Sequence, residues 1–129
     1  MVSRVEELDT YNESVEAAML VFEWSKRFPL EERYSLTDQI RRASRSVSGN
    51  ISEAWRKRRY VNSFVSKMND AEGEAGETLT WTLFAQRCGY WTEAQAAELN
   101  DRYNRILARI VGMINRADDW CTGIEYRRT

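Results

Sequence analysis

Near the end of this chain Leu99, Tyr103, Ile106, Ile110, Met113, Ala117 and Trp120 follow one another in steps of four, three, four, three, four and three residues. An apolar repeat held over three heptads forms one seam along a helix, and such a seam is stable only when other helices cover it. A strand does not accommodate it, because side chains alternate across a sheet with period two. Just upstream, Thr92 with Gln95 three residues on is a capping box. The pattern predicts a helix over about 93–120.

Three further segments carry helical periodicity. Leu8, Tyr11, Val15, Ala18, Met19 and Phe22 mark a helix over about 5–27, and Pro29 closes it by driving Phe28 out of the helical region. Leu36, Ile40, Ala43, Val47, Ile51 and Ala54 mark a second over about 31–58. Gly49, in its middle, costs about 1 kcal/mol relative to alanine, which implies a close backbone contact or a bend. A third helix over about 61–88 buries Phe64, Met68, Ala71, Ala75, Leu79, Thr82 and Phe84, with Gly73 and Gly76 permitting close approach of a neighbouring helix and Gly89 as a left-handed stop. The residues after Trp120 are expected to be less ordered. One proline and six glycines leave little material for a turn-rich β fold. The expected fold is all-α: one domain over 1–129, an up-down-up-down antiparallel four-helix bundle. Cys88 and Cys121 then stand on the order of 40 Å apart along the fourth helix, so both thiols are expected to be free.

The same residues exclude several kinds of chemistry. No histidine is present, which removes the usual general base and zinc ligand. Asp70, Glu74 and Glu77 share one side of the third helix and Glu53 faces them from the second, but the di-iron sites of helix bundles also require histidines. Glu53 or Glu74 is expected instead to accept hydrogen bonds from Gln39, Arg41 or Arg42. Ser44, Ser46, Ser48 and Ser52 have no base and no nucleophile elbow, and no Walker or dinucleotide fingerprint occurs. No run of about eighteen apolar residues predicts a membrane span. The first residues lack an apolar signal core, so a cytoplasmic protein is expected.

Beside the apolar stripe of the second helix runs a polar one: Gln39, Arg42, Ser46, Asn50 and Glu53. It is read as a structural network, joined by Glu74, that fixes the second helix against the third or against a neighbouring subunit. Asn50 and Glu53 are expected to be more buried than their types suggest. Charge is uneven around a net of −1. Residues 1–25 balance to −5, residues 26–59 to +6 and residues 60–129 to −2. Either a basic helix packs beside an acidic one, or Arg41, Arg42, Arg45 and the run Arg56, Lys57, Arg58 and Arg59 face an anionic partner. Trp55 and Tyr60 frame that run, as in surfaces that bind single-stranded nucleic acid, although aromatic rings also collect at bundle ends and subunit interfaces.

From Phe28 to Trp55 the chain reads FPLEERYSLTDQIRRASRSVSGNISEAW. Phe28–Pro29, Glu32–Arg33–Tyr34, Leu36, Gln39–Ile40–Arg41–Arg42–Ala43, Ser46–Val47, Asn50–Ile51 and Glu53 resemble the pattern of the bacterial four-helix-bundle family that includes the proteins encoded by intervening sequences in 23S ribosomal RNA genes. The accessory proteins of diversity-generating retroelements look like relatives of that fold. Ser48 and Ala54 stand where the pattern has proline and glycine, and Ala71-Glu72-Gly73-Glu74 where it has an alanine–glycine–serine stretch. Helix order and length extend the resemblance over nearly the whole chain. It implies a bundle assembled as a ring of five, a homopentamer with no enzymatic activity. An interface would account for spare apolar surface at Trp81, Phe84, Trp91 and Val111. Nucleic-acid binding is implied for the markedly basic retroelement relatives. The combined expectation is a non-catalytic homo-oligomeric scaffold or binding module without metal or cofactor; the alternative is RNA or DNA binding by the basic surface of the second helix.

Overall fold

A computed structural model describes residues 4–121. Four long helices, α1 (Asp9–Ser25), α2 (Leu36–Arg56), α3 (Val61–Arg87) and α4 (Glu93–Asn115), are followed by a single turn, α5 (Ala117–Trp120). Three-residue 3-10 turns occupy Val5–Glu7 and Leu30–Glu32, and no strand occurs among the described residues. Each long helix packs against its two neighbours in a closed cycle, α1 on α2, α2 on α3, α3 on α4 and α4 on α1. The pairings run antiparallel. Ser14 meets Ser48 while Ser25 meets Arg41, and Arg42 meets Glu74 while Glu53 meets Lys67. Glu13 pairs with Arg109 while Trp24 packs on Trp91.

The α4 seam is buried from Leu99 to Ala117, and Trp120 is half-buried. Thr92 Oγ1 accepts from Gln95 N at 3.1 Å and Gln95 Oε1 accepts from Thr92 N at 2.9 Å, closing the capping box. The seam is carried on two pieces rather than on one helix over 93–120, because Arg116 leaves helical geometry (φ −115°, ψ 34°) and α5 restarts after it. The 5–27 segment is likewise broken where Leu8 turns extended (ψ 119°). In the second segment, Pro29 is extended and Ser35 is non-helical, so α2 begins at Leu36 rather than near 31. All six residues of the predicted α2 stripe are buried.

Two faces differ from the expected ones. α1 buries Thr10, Ser14, Ala17, Ala18, Val21 and Ser25, whereas Met19 is 53% exposed and Phe22 is only partly covered. A face of small residues lets α1 lie close to α2. Ser14 and Ser25 satisfy their hydroxyls locally by donating to the carbonyls of Tyr11 and Phe22. α3 buries Thr78, Thr82 and Ala85 in its second half and leaves Phe84 51% exposed. Thr78 and Thr82 hide their polarity the same way, each donating at 2.9 Å to the carbonyl four residues back. The helical glycines mark no close approach: a Cβ at Gly49, Gly73 or Gly76 would meet nothing within 4 Å.

Gly89 does stop α3, at φ +79°. Tyr90 N bonds Ala85 O and Gly89 N bonds Gln86 O, both at 2.9 Å, the two bonds of a Schellman cap. That cap delivers Tyr90 and Trp91 onto Phe28, at ring distances of 5.4 and 5.1 Å. Trp91 also donates its indole N–H to Trp24 O at 3.0 Å and is 3% exposed, so it belongs to the core and not to spare surface. Cys88 is exposed and Cys121 buried, and no disulfide joins them. The expected loss of order after Trp120 falls on residues 122–129, outside the described residues. No helix among the described residues is long and apolar enough to cross a membrane.

Candidate functional site

The polar stripe of α2 divides into separate parts. At its N-terminal end Arg42 reaches across to α3, with Nη1 3.3 Å from Glu74 and Nη2 2.5 Å from Glu77, while Nη2 also donates to Gln39 Oε1 at 3.4 Å. Glu77 accepts a further bond from the Trp81 indole at 3.2 Å. Partial burial pushes the Glu74 carboxyl above its ordinary pKa, with the neighbouring Glu77 charge adding to it and Arg42 pulling against it. Burial acts on Glu77 too, but hydrogen bonds from Trp81 and Arg42 outweigh it and its pKa falls. At the other end of the stripe Asn50 donates to Ser46 O at 2.9 Å on its own helix. Glu53 is exposed and pairs with Lys67 at 3.5 Å, which also approaches Asp70.

Gln39, Arg42 and Glu74 are therefore one network, and Ser46, Asn50 and Glu53 do not join it. Glu53 is not the half-buried acid expected: it lies exposed at the rim of the α2–α3 seam, where the half-buried Lys67 answers its charge. Glu77 and Trp81, which complete the network, stand three and seven residues after Glu74; that helical spacing identifies them once Arg42 is known to face α3.

The basic residues also divide. Arg41 turns toward α1, donating from Nε to Ser25 Oγ at 2.8 Å and lying over the Phe22 ring, 4.8 Å from its centroid. Arg45 lies over the same ring at 5.6 Å and Lys26 at 4.8 Å. Phe22, read from spacing as core, is instead a platform for cations. Arg33, Arg41, Arg42 and Arg45, with Thr37, Asp38, Ser46 and Gly49, line a surface concavity of about 610 Å³.

The run at residues 56–59 is not a continuous basic surface. Arg58 folds back over Trp55 at 3.5 Å, donates to Trp55 O at 2.7 Å, and loses basicity through burial. α2 ends at Arg56, and the Lys57 backbone (φ −101°, ψ 15°) carries the run round the corner, with Arg56 and Arg59 exposed and Lys57 half-buried.

A third surface feature is apolar. Tyr34 is 82% exposed and Phe84 51%, and together with Leu36, Gln39, Trp81 and Cys88 they border a concavity of about 340 Å³. Leu30 and Leu83 are also exposed, and so is Val111 on α4.

A family model described as 23S rRNA-intervening sequence protein matches residues 6–112. Among solved structures, the chain is similar to a protein with unknown function from the S23 ribosomal protein family of Bacteroides thetaiotaomicron, known from a crystal structure at 1.70 Å. The two are 27% identical with a TM-score of 0.74, covering 81% of this chain and 97% of that one. No curated protein matches it.

Proposed function

The chain belongs to the 23S rRNA-intervening sequence protein family, and on that premise we propose that it is a non-catalytic cytoplasmic protein that assembles with copies of itself, as a ring of five, and serves as a scaffold or binding module. The observation that carries this reading is the exposed apolar surface at Tyr34, Phe84, Leu30 and Leu83. Apolar side chains grouped at one end of a bundle favour a partner surface over water. Light scattering coupled to size exclusion tests it: a mass five times that of the 15.2 kDa chain is expected, and Tyr34→Glu with Phe84→Glu should dissociate it. A wild-type monomer at micromolar concentration overturns it.

A second reading is nucleic-acid binding by α2. It is favoured by Arg33, Arg41 and Arg45, which border one concavity and have no carboxylate within ion-pair distance among the described residues. Retention on RNA or DNA that falls steeply with salt supports it. Retention unchanged when Arg41 and Arg45 are both replaced by glutamine removes it.

A further inference from the structure

Three cations converge on one aromatic ring between α1 and α2. Lys26, Arg41 and Arg45 all lie within 5.6 Å of the Phe22 centroid. Glu23, 3.2 Å away, answers the charge of Lys26. Neither guanidinium has a carboxylate in ion-pair contact among the described residues. Like charges four residues apart on a helix repel, and here the face of the ring holds them together. Arg41 is also oriented. Its Nε bonds Ser25 Oγ, and that hydroxyl is 2% exposed and anchored on Phe22 O at 3.1 Å. The fixed edge leaves the four N–H donors on its two Nη atoms. Arg45, one turn along, has no hydrogen bond within the described residues and keeps all five donors.

We propose that Arg41 and Arg45 form a phosphate site. The inference rests on the reading of this chain as a binding module and names the ligand chemistry. A phosphoryl group sets two or three non-bridging oxygens on a tetrahedron, so it can accept bonds from two guanidinium forks at once. The concavity of about 610 Å³ beside the pair has room for a phosphate group; Thr37 and Ser46 also line it, and so does Asp38, the one acid on its wall, which four arginines there outnumber. Two sources present this chemistry, a free phosphorylated small molecule and the phosphodiester chain of a nucleic acid.

The test is calorimetric titration of the full chain with inorganic pyrophosphate and, separately, with a short abasic phosphodiester oligomer. Arg45→Gln removes donors that bond nothing among the described residues and leaves the Arg41 bond to Ser25 in place; it gives up only the Arg45 contact with the Phe22 ring, so its thermal unfolding is compared with that of the unaltered chain. The double variant Arg41→Gln, Arg45→Gln removes the site. Arg102→Gln, which breaks only the α4 pair with Glu98, matches the charge lost in Arg45→Gln elsewhere on the surface. Saturable binding that weakens at least tenfold in the double variant, weakens severalfold in Arg45→Gln and stays within twofold in Arg102→Gln supports the site. Tighter pyrophosphate binding assigns it to a small molecule, and tighter oligomer binding assigns it to a nucleic-acid backbone. No saturable binding of either probe, equal loss in Arg102→Gln, or a fall in assembly mass with unchanged affinity in the double variant overturns it, the last because the pair would then face an acidic surface of a second copy. Mass measured on the same samples separates the readings: a monomer that binds pyrophosphate refutes the ring alone, and a ring that binds neither probe refutes the site alone.

Discussion

Replacing Gly49 with alanine should stabilise this protein. Gly49 sits in the interior of α2 on its exposed side, and an added Cβ meets no atom within 4 Å. The substitution therefore introduces no clash and leaves helix propensity as the governing term. Alanine is favoured over glycine in a helix interior by about 1 kcal/mol, mostly through the backbone freedom that glycine loses on folding. Unfolding entropy near 2.1 cal/mol/K per residue gives about 270 cal/mol/K for a chain of this length, so 1 kcal/mol raises Tm by about 4 °C. Thermal unfolding followed by circular dichroism, at two concentrations and with mass checked by light scattering, measures it. An unchanged or lowered Tm refutes the reasoning, because it means that the exposed side of α2 at Gly49 is covered in solution.

Four other outcomes follow from the geometry. Ile110→Ala, at a fully buried seam position, should lose about 2–5 kcal/mol in urea unfolding. Glu32 accepts bonds from Ser35, Tyr90 and Leu36 N, which hold its pKa below the ordinary value; the stability this contributes is complete above about pH 4.5 and lost as pH falls through the lowered value, so Glu32→Gln should flatten the acid limb of a plot of urea midpoint against pH. The Tyr90 phenol is held by Glu32 at 2.8 Å and pushed up to about 12; its contribution is complete below about pH 10 and lost as pH rises toward 12, a loss that Tyr90→Phe should remove. A thiol reagent under native conditions should label Cys88 and spare Cys121 until the chain unfolds, as read by mass spectrometry.

The parts of the fold legible in the sequence are those where one strong local pattern met no competitor. The α4 seam and the α2 stripe rest on regular apolar spacing, the Thr92–Gln95 box and the Gly89 stop on specific capping residues, and each stands where expected. α1 misled because its core face is made of Thr10, Ser14, Ala17 and Ser25. Hydropathy ranks those below Met19 and Phe22, yet small size decides how closely two helices lie, and a hydroxyl that bonds its own backbone is not costly to bury. Gly49, Gly73 and Gly76 misled in the opposite direction, since small residues permit close approach without compelling it. At the site, Arg42 with Glu74 was readable because opposite charges faced each other across an antiparallel pair. The Phe22 platform was not, because it depends on the rotation of α1, and Arg58 turned inward because Trp55 offered it both a ring and a carbonyl.

The aromatic contacts around Trp91 join more than side chains. Phe28 and Glu32 belong to the α1–α2 connection, and Tyr90 and Trp91 to the α3–α4 connection. Ring contacts, the Tyr90 bond to Glu32 and the Trp91 bond to Trp24 therefore tie two chain reversals, 58 and 67 residues apart across the two hydrogen bonds, into one clasp. The opposite end holds the α2–α3 turn and the outer ends of α1 and α4, with Trp55 against Trp120. Fraying that begins at this open end can proceed a turn at a time, while parting the clasp requires two hairpins to separate together. Amide exchange should accordingly slow from the open end toward residues 85–91.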